Sequence, residues 1–564
     1  MSNNETSTVG SYLATRLEQI GIRHYFAVPG DYNLILLDEF LKNKNLKLIG
    51  CCNELNAGYA ADGYARANGV SAVVVTFSVG GLSAINAIAG AYAEDLPVII
   101  ISGGPNSNSE AENQLLHHTC GEVRYGYAVD IFSHVTAKSV IIRHLKDAPS
   151  QIDEAISACV RKRKPVYIEI ACNIAKLETS FAKRQRFFIK HSSHPEALTD
   201  AVEHATLLLN KASKPVLVAG ARLRPWGATD AFKKLVDASG FAVAAMPNAK
   251  GFIAENHPSY IGTYWGPVSS PGTNEIVESA DAYLFAGPIF TDYTTAGFTT
   301  LISQEKLINA EPDRIHITNQ TYNDVTLDEF LTALADKIKP NNGSLKAYER
   351  IKTEYAPEPP VKPDKPLTTR RLFNQIEQIL DSNSVVIAET GDSWFNGMKL
   401  RLPEGARFEI QMQYGSIGWS VGATLGYELG SPKSCRIISL IGDGSFQLTA
   451  QEVSTMIRYG LKPIIFLINN GGYTIEVEIH DGPYNNIKSW KYAELINVFN
   501  SDDGNGWSTK VSTEGELDRA LTQALTHNGV NFIEVIIDRD DCSKELLEWG
   551  SHVAANNGRA PRNL

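Results

Sequence analysis

Cysteine is scarce in this chain. Seven occur in 564 residues: Cys51, Cys52, Cys120, Cys159, Cys172, Cys435 and Cys542. The count is odd and no Cys-x-x-Cys pair exists, which argues against a disulfide framework and a cysteine zinc site. Long basic runs are also missing. Lys+Arg total 52 against 63 for Asp+Glu, a net charge of −11, so a nucleic-acid partner is not expected. No apolar run reaches the roughly 18 residues that span a bilayer, so no membrane partner is expected. The first eight residues, Met1–Thr8, are polar and hold no signal-peptide hydrophobic region. The C-terminus carries no retention or prenylation signal. The expected location is the cytoplasm. No Gly-Lys dipeptide occurs, so a Walker A loop is excluded. No G-x-G-x-x-G occurs either; Gln447 stands where the third glycine would follow Gly442 and Gly444.

At roughly 100–200 residues per domain, the length suggests about three to five domains. Composition divides it into three: residues 1–190, 191–350 and 367–564. The second and third are joined by a Pro-rich linker at 351–366, where five prolines fall between Glu354 and Pro366. That density excludes a helix or a central strand and predicts an extended connector. A weaker boundary lies in the basic stretch from Phe181 to Pro195. The first unit alternates apolar runs with helical stretches: Tyr25–Val28, Leu46–Cys51, Ala72–Thr76 and Pro97–Ile101, with an Ala-rich helix over about 54–68. The third unit repeats the grammar at Val385–Ala388, Arg436–Ile441 and Pro463–Ile468. The middle unit follows it more loosely at Pro215–Ala219 and Ala282–Phe285. Short buried runs between helices predict three doubly wound α/β domains with parallel sheets. In such sheets ligands bind beyond the carboxyl ends of the strands.

Two loops stand at those ends. Gly442-Asp443-Gly444-Ser445 and Asn469-Asn470-Gly471-Gly472 each follow an apolar run, with one helix between. A right-handed crossover sets them side by side. Asp443 offers a carboxylate, Asn470 an amide carbonyl and the loop backbone a third oxygen. Three hard oxygens with open positions suit Mg²⁺ shared with phosphate oxygens. The glycines permit close approach of an anion to the backbone and to the helix that follows.

The 27-residue separation of Asp443 and Asn470 resembles the diphosphate–magnesium motif of thiamine diphosphate enzymes. Further segments are similar to the 2-oxo acid decarboxylases of that family: Val28–Asn33, Cys52–Asn56, Leu116–His118, Glu389–Phe395, Gly418–Ser420 and Tyr473–Val477. The resemblance runs nearly the whole length. It implies thiamine diphosphate and Mg²⁺ as cofactors, with Asp443, Asn470 and Gly472 on the metal. It implies cofactor contacts from Glu54, Thr76, Thr390, Gly415, Ile417, Gly444, Ser445, Tyr473, Thr474 and Ile475. Glu54 would bond the pyrimidine N1′, sharing a proton as a partly desolvated carboxyl can. Ile417 would wedge beneath a bent cofactor and Gly415 would offer its carbonyl. Asp31, His117, His118 and Glu476 would form the acid–base cluster, whose protons titrate together. The first unit would bind the pyrimidine, the third the diphosphate, with the site between two subunits of a dimer or a dimer of dimers.

The implied activity is non-oxidative decarboxylation of pyruvate to acetaldehyde and CO₂ through a thiamine diphosphate enamine. Tyr293, Trp394, Ile475, Ile479 and Trp549 would line the substrate side, where Trp394 and Ile479 leave room for a methyl group and crowd an aromatic ring. Decarboxylation of an aromatic or branched 2-oxo acid, and an acetolactate synthase-like carboligation, are the alternatives. Some family members carry a middle-domain cysteine associated with substrate activation. None lies between Cys172 and Cys435 here, so a hyperbolic response to substrate is expected. A serine hydrolase is a rival, because Gly418-Trp-Ser-Val-Gly422 fits a nucleophile elbow. The elbow requires a strand entering its first glycine, and Gly415-Ser416 interrupts that. A flavin in the middle unit and a non-catalytic relative are weaker readings.

Overall fold

The computed structural model describes residues 4–182, 187, 191–353 and 359–561. The first sheet holds six parallel strands in the spatial order Lys47–Gly50, His24–Ala27, Ser71–Val75, Val98–Gly104, Val166–Ala171, Lys138–Ile142. The third sheet runs Arg407–Glu409, Ser384–Ala388, Arg436–Gly442, Ile464–Asn469, Asn531–Ile536, Trp507–Val511, again all parallel. Numbered along the chain within each sheet, both orders are 2-1-3-4-6-5. The shared grammar of the sequence is thus a shared topology. Every residue of Ser71–Val75, Val98–Gly104 and Val166–Ala171 is buried, as expected of strands covered by helices on both faces.

The middle sheet adds what apolar runs do not announce. Five parallel strands, from Tyr260–Thr263 through Ala242–Ala245, Pro215–Ala219 and Ala282–Ala286 to Leu307–Ala310, are extended by an antiparallel pair, Arg314–Ile317 and Gln320–Asn323. A separate antiparallel pair joins Asn4–Thr8 to Glu178–Ala182. The predicted helix between the two glycine-rich loops is broken into Asp443–Thr449 and Glu452–Arg458, and Gly460 ends it with φ +65°.

In the linker, residues 354–358 lie outside the described residues, as do 183–186 and 188–190 at the weaker boundary. From Pro359 onward the linker is fastened to the third unit. Arg371 Nη1 donates to the Pro359 carbonyl at 2.9 Å, and the Lys362 N–H donates to Glu514 at 2.8 Å. All seven cysteines are free thiols. Among the described residues no helix is long and apolar enough to cross a membrane.

Strand order reverses between His24–Ala27 and Ser71–Val75, and again between Ser384–Ala388 and Arg436–Gly442. The loops that leave these strands carry Asp31 and Thr76 in the first unit, and Thr390 and Asp443 in the third. Both sets therefore sit at topological switch points, where doubly wound sheets open a crevice.

Two helices lock the first unit to the third. Glu54–Asn68 and Trp419–Gly430 lie backbone to backbone. A methyl at Gly426 would fall 1.7 Å from the Ala60 carbonyl oxygen, and one at Gly63 2.2 Å from that of Ala423. Buried at the seam, Asp62 accepts from the Trp419 indole and from Arg66 Nε, both at 2.8 Å. Gly426→Ala is expected to lower stability by about 1–3 kcal/mol, the usual range for overpacking. Urea unfolding measures it, and an unchanged midpoint would show that the two helices can separate without loss.

Candidate active site

Asp443 begins a helix as the strand Arg436–Gly442 ends. Its Oδ1 accepts the Gly444 N–H at 2.9 Å and its Oδ2 the Gly471 N–H at 2.8 Å. One carboxylate thereby ties the two glycine-rich loops together. The side chain is fully buried, and that burial lifts its pKa from 3.8 to about 6 despite the N–H groups aimed at it. Among the described residues no cationic side chain pairs with it. Asn470 donates Nδ2 to Thr474 Oγ1 at 2.6 Å, which leaves its carbonyl oxygen for ligation. A buried carboxylate without a countercharge, next to a cavity lined by Asn470 and Gly472, fits a hard divalent cation such as Mg²⁺.

The surrounding walls fit a diphosphate-bearing cofactor. Thr390, Ile417, Gly444, Ser445, Asn470, Gly472, Tyr473, Thr474 and Ile475 line one cavity. Two of its glycines are required by space. A side chain at Gly444 would enter the Tyr473 ring at 2.5 Å, and one at Gly472 would meet the Asn485 carbonyl at 2.5 Å. Thr369 and Asp541 also line this cavity. Neither carries a sequence signal, because both stand far along the chain from the motifs.

The first unit assembles a second group of residues. Glu54 opens its helix in the turn capped by Asn53, whose side chain accepts the Asn56 N–H at 2.8 Å. A methyl at Gly80 would lie 3.1 Å from Glu54 Oε1 and 3.2 Å from the Thr76 methyl, so the three are neighbours. Thr76 Oγ1 is buried with no hydrogen-bond partner, an orphan that a ligand would satisfy. Gly30 packs directly on Thr76, which brings the Val28–Asn33 turn over it. Asp31, in that turn, accepts from or donates to His117 Nε2 at 2.7 Å according to protonation, and lies 3.8 Å from His118 Nε2. Tyr32 stacks on His117 with ring centres 4.9 Å apart. His118 has φ +63°, and its carbonyl accepts the Tyr127 hydroxyl at 2.9 Å. Tyr127 also bonds Ser78, itself at φ +55°. Left-handed backbone at non-glycine residues costs free energy and concentrates at functional sites.

The residues expected on the substrate side are largely aromatic. Tyr293, from the middle unit, meets Trp394 and Trp549 edge-on, with centroids 6.1 and 4.9 Å away. Its carbonyl accepts two indole N–H groups, from Trp265 at 2.7 Å and from Trp549 at 3.2 Å. Trp394, Trp549 and Ile475 are buried, and Ile479 packs on the same cluster. Gly415 faces the Tyr293 ring. Burial, reinforced by the charge of nearby Glu476, raises the pKa of the Tyr293 hydroxyl.

The two groups do not close on one another. Among the described residues no hydrogen bond or ion pair joins Glu54, Thr76, Asp31, His117 or His118 to Asp443, Asn470 or Glu476. No wall residue of the third-unit cavity comes from the first unit. Asp31 and His117 are 54% and 59% exposed. Sequence reading also missed Glu389. It is buried between Thr390 and Ser420 and accepts hydrogen bonds from both. Ser420 is therefore no exposed nucleophile: its hydroxyl is buried and given to Glu389 at 2.7 Å, and a loop rather than a strand precedes it.

Comparison with known proteins decides the family. The model described as "Thiamine pyrophosphate enzyme, N-terminal TPP binding domain" matches residues 7–123. The corresponding central domain matches 202–336, and the C-terminal TPP binding domain 383–535. Pyruvate decarboxylase 3 of Arabidopsis thaliana is 54% identical over 99% of this chain and 95% of its own length. Pyruvate decarboxylase 1 of Oryza sativa subsp. indica is 54% identical over 98% of this chain and 93% of its own. Pyruvate decarboxylase 1 of Zea mays is 53% identical over 98% and 92%. The chain belongs to the pyruvate decarboxylase family. Membership of this family makes thiamine pyrophosphate the cofactor. Replacing Asp443 with Asn keeps the shape and removes the charge. We expect thiamine diphosphate binding with Mg²⁺, followed by calorimetry, to weaken at least a hundredfold while circular dichroism stays unchanged. Native affinity in this variant would remove Asp443 from the metal site.

Proposed function

We propose that this chain is a thiamine diphosphate- and Mg²⁺-dependent pyruvate decarboxylase that converts pyruvate to acetaldehyde and CO₂. The observation that carries it is the uncompensated Asp443 carboxylate in a glycine cradle, beside a cavity lined by Ile475, which itself packs with Trp394 and Trp549. Bound thiamine diphosphate supplies the nucleophilic carbon and the electron sink that loss of CO₂ from a 2-oxo acid requires. Asp443, Asn470 and the Gly472 carbonyl hold the metal, and Gly444, Ser445, Tyr473 and Thr474 cradle the diphosphate. Thr390, Gly415, Ile417 and Ile475 shape the middle of the cleft, and orientation there is worth far more than contact alone.

Glu54 would hydrogen-bond the pyrimidine nitrogen, where a carboxyl group can share a proton, and Thr76 Oγ1 would meet the same ring. Asp31 fixes the His117 imidazole, and the pair moves protons at His117 Nε2, with His118 alongside. Glu476 acts next to the substrate carboxylate. Tyr293, Trp394, Ile479 and Trp549 exclude water and bulky substituents. In this reading residues 1–190 bind the pyrimidine, 191–350 form the central domain and 367–564 bind the diphosphate.

The two halves meet across a pair of chains. Leu115, Val79, Tyr414 and Leu448 are all exposed, and each lies within three residues of a site residue along the chain. A second copy of the chain would cover this apolar rim together with Asp31 and His117. A dimer, or a dimer of dimers, follows, working in the cytoplasm.

A coupled assay tests the reading. The protein is stripped with chelator and given pyruvate, an alcohol dehydrogenase and NADH, with phenylpyruvate in parallel. We expect NADH loss only when thiamine diphosphate and Mg²⁺ are both restored, faster with pyruvate, and hyperbolic in pyruvate. Activity confined to phenylpyruvate would overturn the pocket argument. No activity on either would overturn the reaction.

A further inference from the structure

Three features need a fixed spatial relation in the cleft just described: Thr390, Ile417 and the start of the helix Trp419–Gly430. The local backbone does little to fix them. Gly391 has φ +133°, Gly415 +63° and Gly418 +91°, so the loops on both sides turn at glycines and resist bending weakly. The helix begins at Gly418, which has no side chain to cap it. The Trp419 N–H meets the Ser416 carbonyl at 3.3 Å, and the Gly418 and Ser420 N–H groups on either side still need partners in a buried place.

Glu389 fills that role from another strand. It is fully buried at the carboxyl end of Ser384–Ala388. One carboxylate oxygen accepts the Thr390 N–H at 2.9 Å. The other accepts both the Ser420 N–H at 3.0 Å and the Ser420 hydroxyl at 2.7 Å. The Gly418 N–H faces it as well. A single side chain thus pins the Thr390 loop to the loop that presents Ile417. Ser416 is held separately, its N–H and hydroxyl both donating to Gln411 Oε1 at 2.9 and 2.6 Å. Ile417 is suspended between these two anchors.

Stability alone does not account for a carboxyl here. Taking it out of water opposes its ionisation, and an apolar residue would fill the same space at lower cost. What an apolar residue lacks is the ability to accept several donors from two loops at once. We propose that Glu389 is a positioning residue for the cofactor cleft, holding Thr390 and Ile417 in the register that thiamine diphosphate requires. The proposal rests on the reading of that cleft given above.

The test compares wild type, Glu389→Gln and Ser420→Ala as full-length protein. Gln keeps the shape but turns one acceptor into a donor that faces N–H groups. We expect Glu389→Gln to weaken thiamine diphosphate binding at saturating Mg²⁺ at least tenfold by calorimetry. At saturating cofactor, kcat should fall at least fivefold with KM for pyruvate within twofold. The melting temperature of the cofactor-free protein should stay within a few degrees of wild type. Ser420→Ala removes one donor and should weaken binding two- to fivefold. The double variant should be no worse than Glu389→Gln alone, because both changes break the same contact. If Glu389→Gln folds poorly, Ser420→Ala still decides.

Cofactor binding within twofold of wild type in both variants would overturn the proposal. So would losses in binding that only track the melting temperature, or a double variant whose losses add. A wild-type chain that bound no thiamine diphosphate would instead overturn the reading on which the proposal stands.

Discussion

Helices Glu54–Asn68 and Trp419–Gly430 touch backbone to backbone, and the placement of every functional group depends on that seam. The contacts run in step: Gly422 meets Asn56 and Tyr59, Gly426 meets Ala60, and Gly430 meets Tyr64 and Ala67. The helices are therefore parallel and begin at the same end. One begins with Glu54, and the other emerges from the loop that carries Gly415 and Ile417. Glycine and alanine on both partners allow the approach, so small residues here have a geometric cause. The buried Arg66–Asp62–Trp419 contact fixes the register along the seam, since an unpaired charge there would be costly.

With the helices fixed, the two sheets bring their switch points into play. Each unit has the same strand order, so each opens a crevice at an equivalent place. The crevices differ in chemistry. The one in the third unit holds a buried carboxylate, an amide and a glycine cradle, which suit a metal and a diphosphate. The one in the first unit holds an orphaned hydroxyl, a carboxyl and two imidazoles, which suit a ring nitrogen and proton exchange. The middle unit contributes Tyr293, whose carbonyl is clamped by two indole N–H groups and whose ring meets Trp394 and Trp549 edge-on.

Much of this was legible in the chain. The parallel strands read directly because they are uninterrupted apolar runs, and a sheet covered on both faces requires such runs. Asp443 and Asn470 were legible because each directly follows one. The antiparallel pair Arg314–Ile317 and Gln320–Asn323 was not, since half of its residues face water and its turn at Thr318 has no glycine signal. Asn4–Thr8 is polar throughout and owes its strand to its partner. Asp31, His117 and His118 became candidates through resemblance alone, since the structure joins positions 86 apart. Glu389 stood within a quoted motif, yet its role depends on Ser420, 31 residues away, and no spacing rule links them.

The central claim is that the first unit of one chain and the third unit of another complete each catalytic site. Mixed oligomers of Glu54→Gln and Asp443→Asn chains test it most directly. Each variant alone carries one defect in every site. In a mixed pair, one site combines the intact Glu54 of one chain with the intact Asp443 of the other, and the second site carries both defects. The account predicts two inactive parents and a mixture, refolded together, that regains up to about a quarter of wild-type pyruvate decarboxylation, as random pairing and one repaired site in two require. A mixture as inactive as its parents, with mixed oligomers demonstrated by mass, would contradict it and place the site within a single chain.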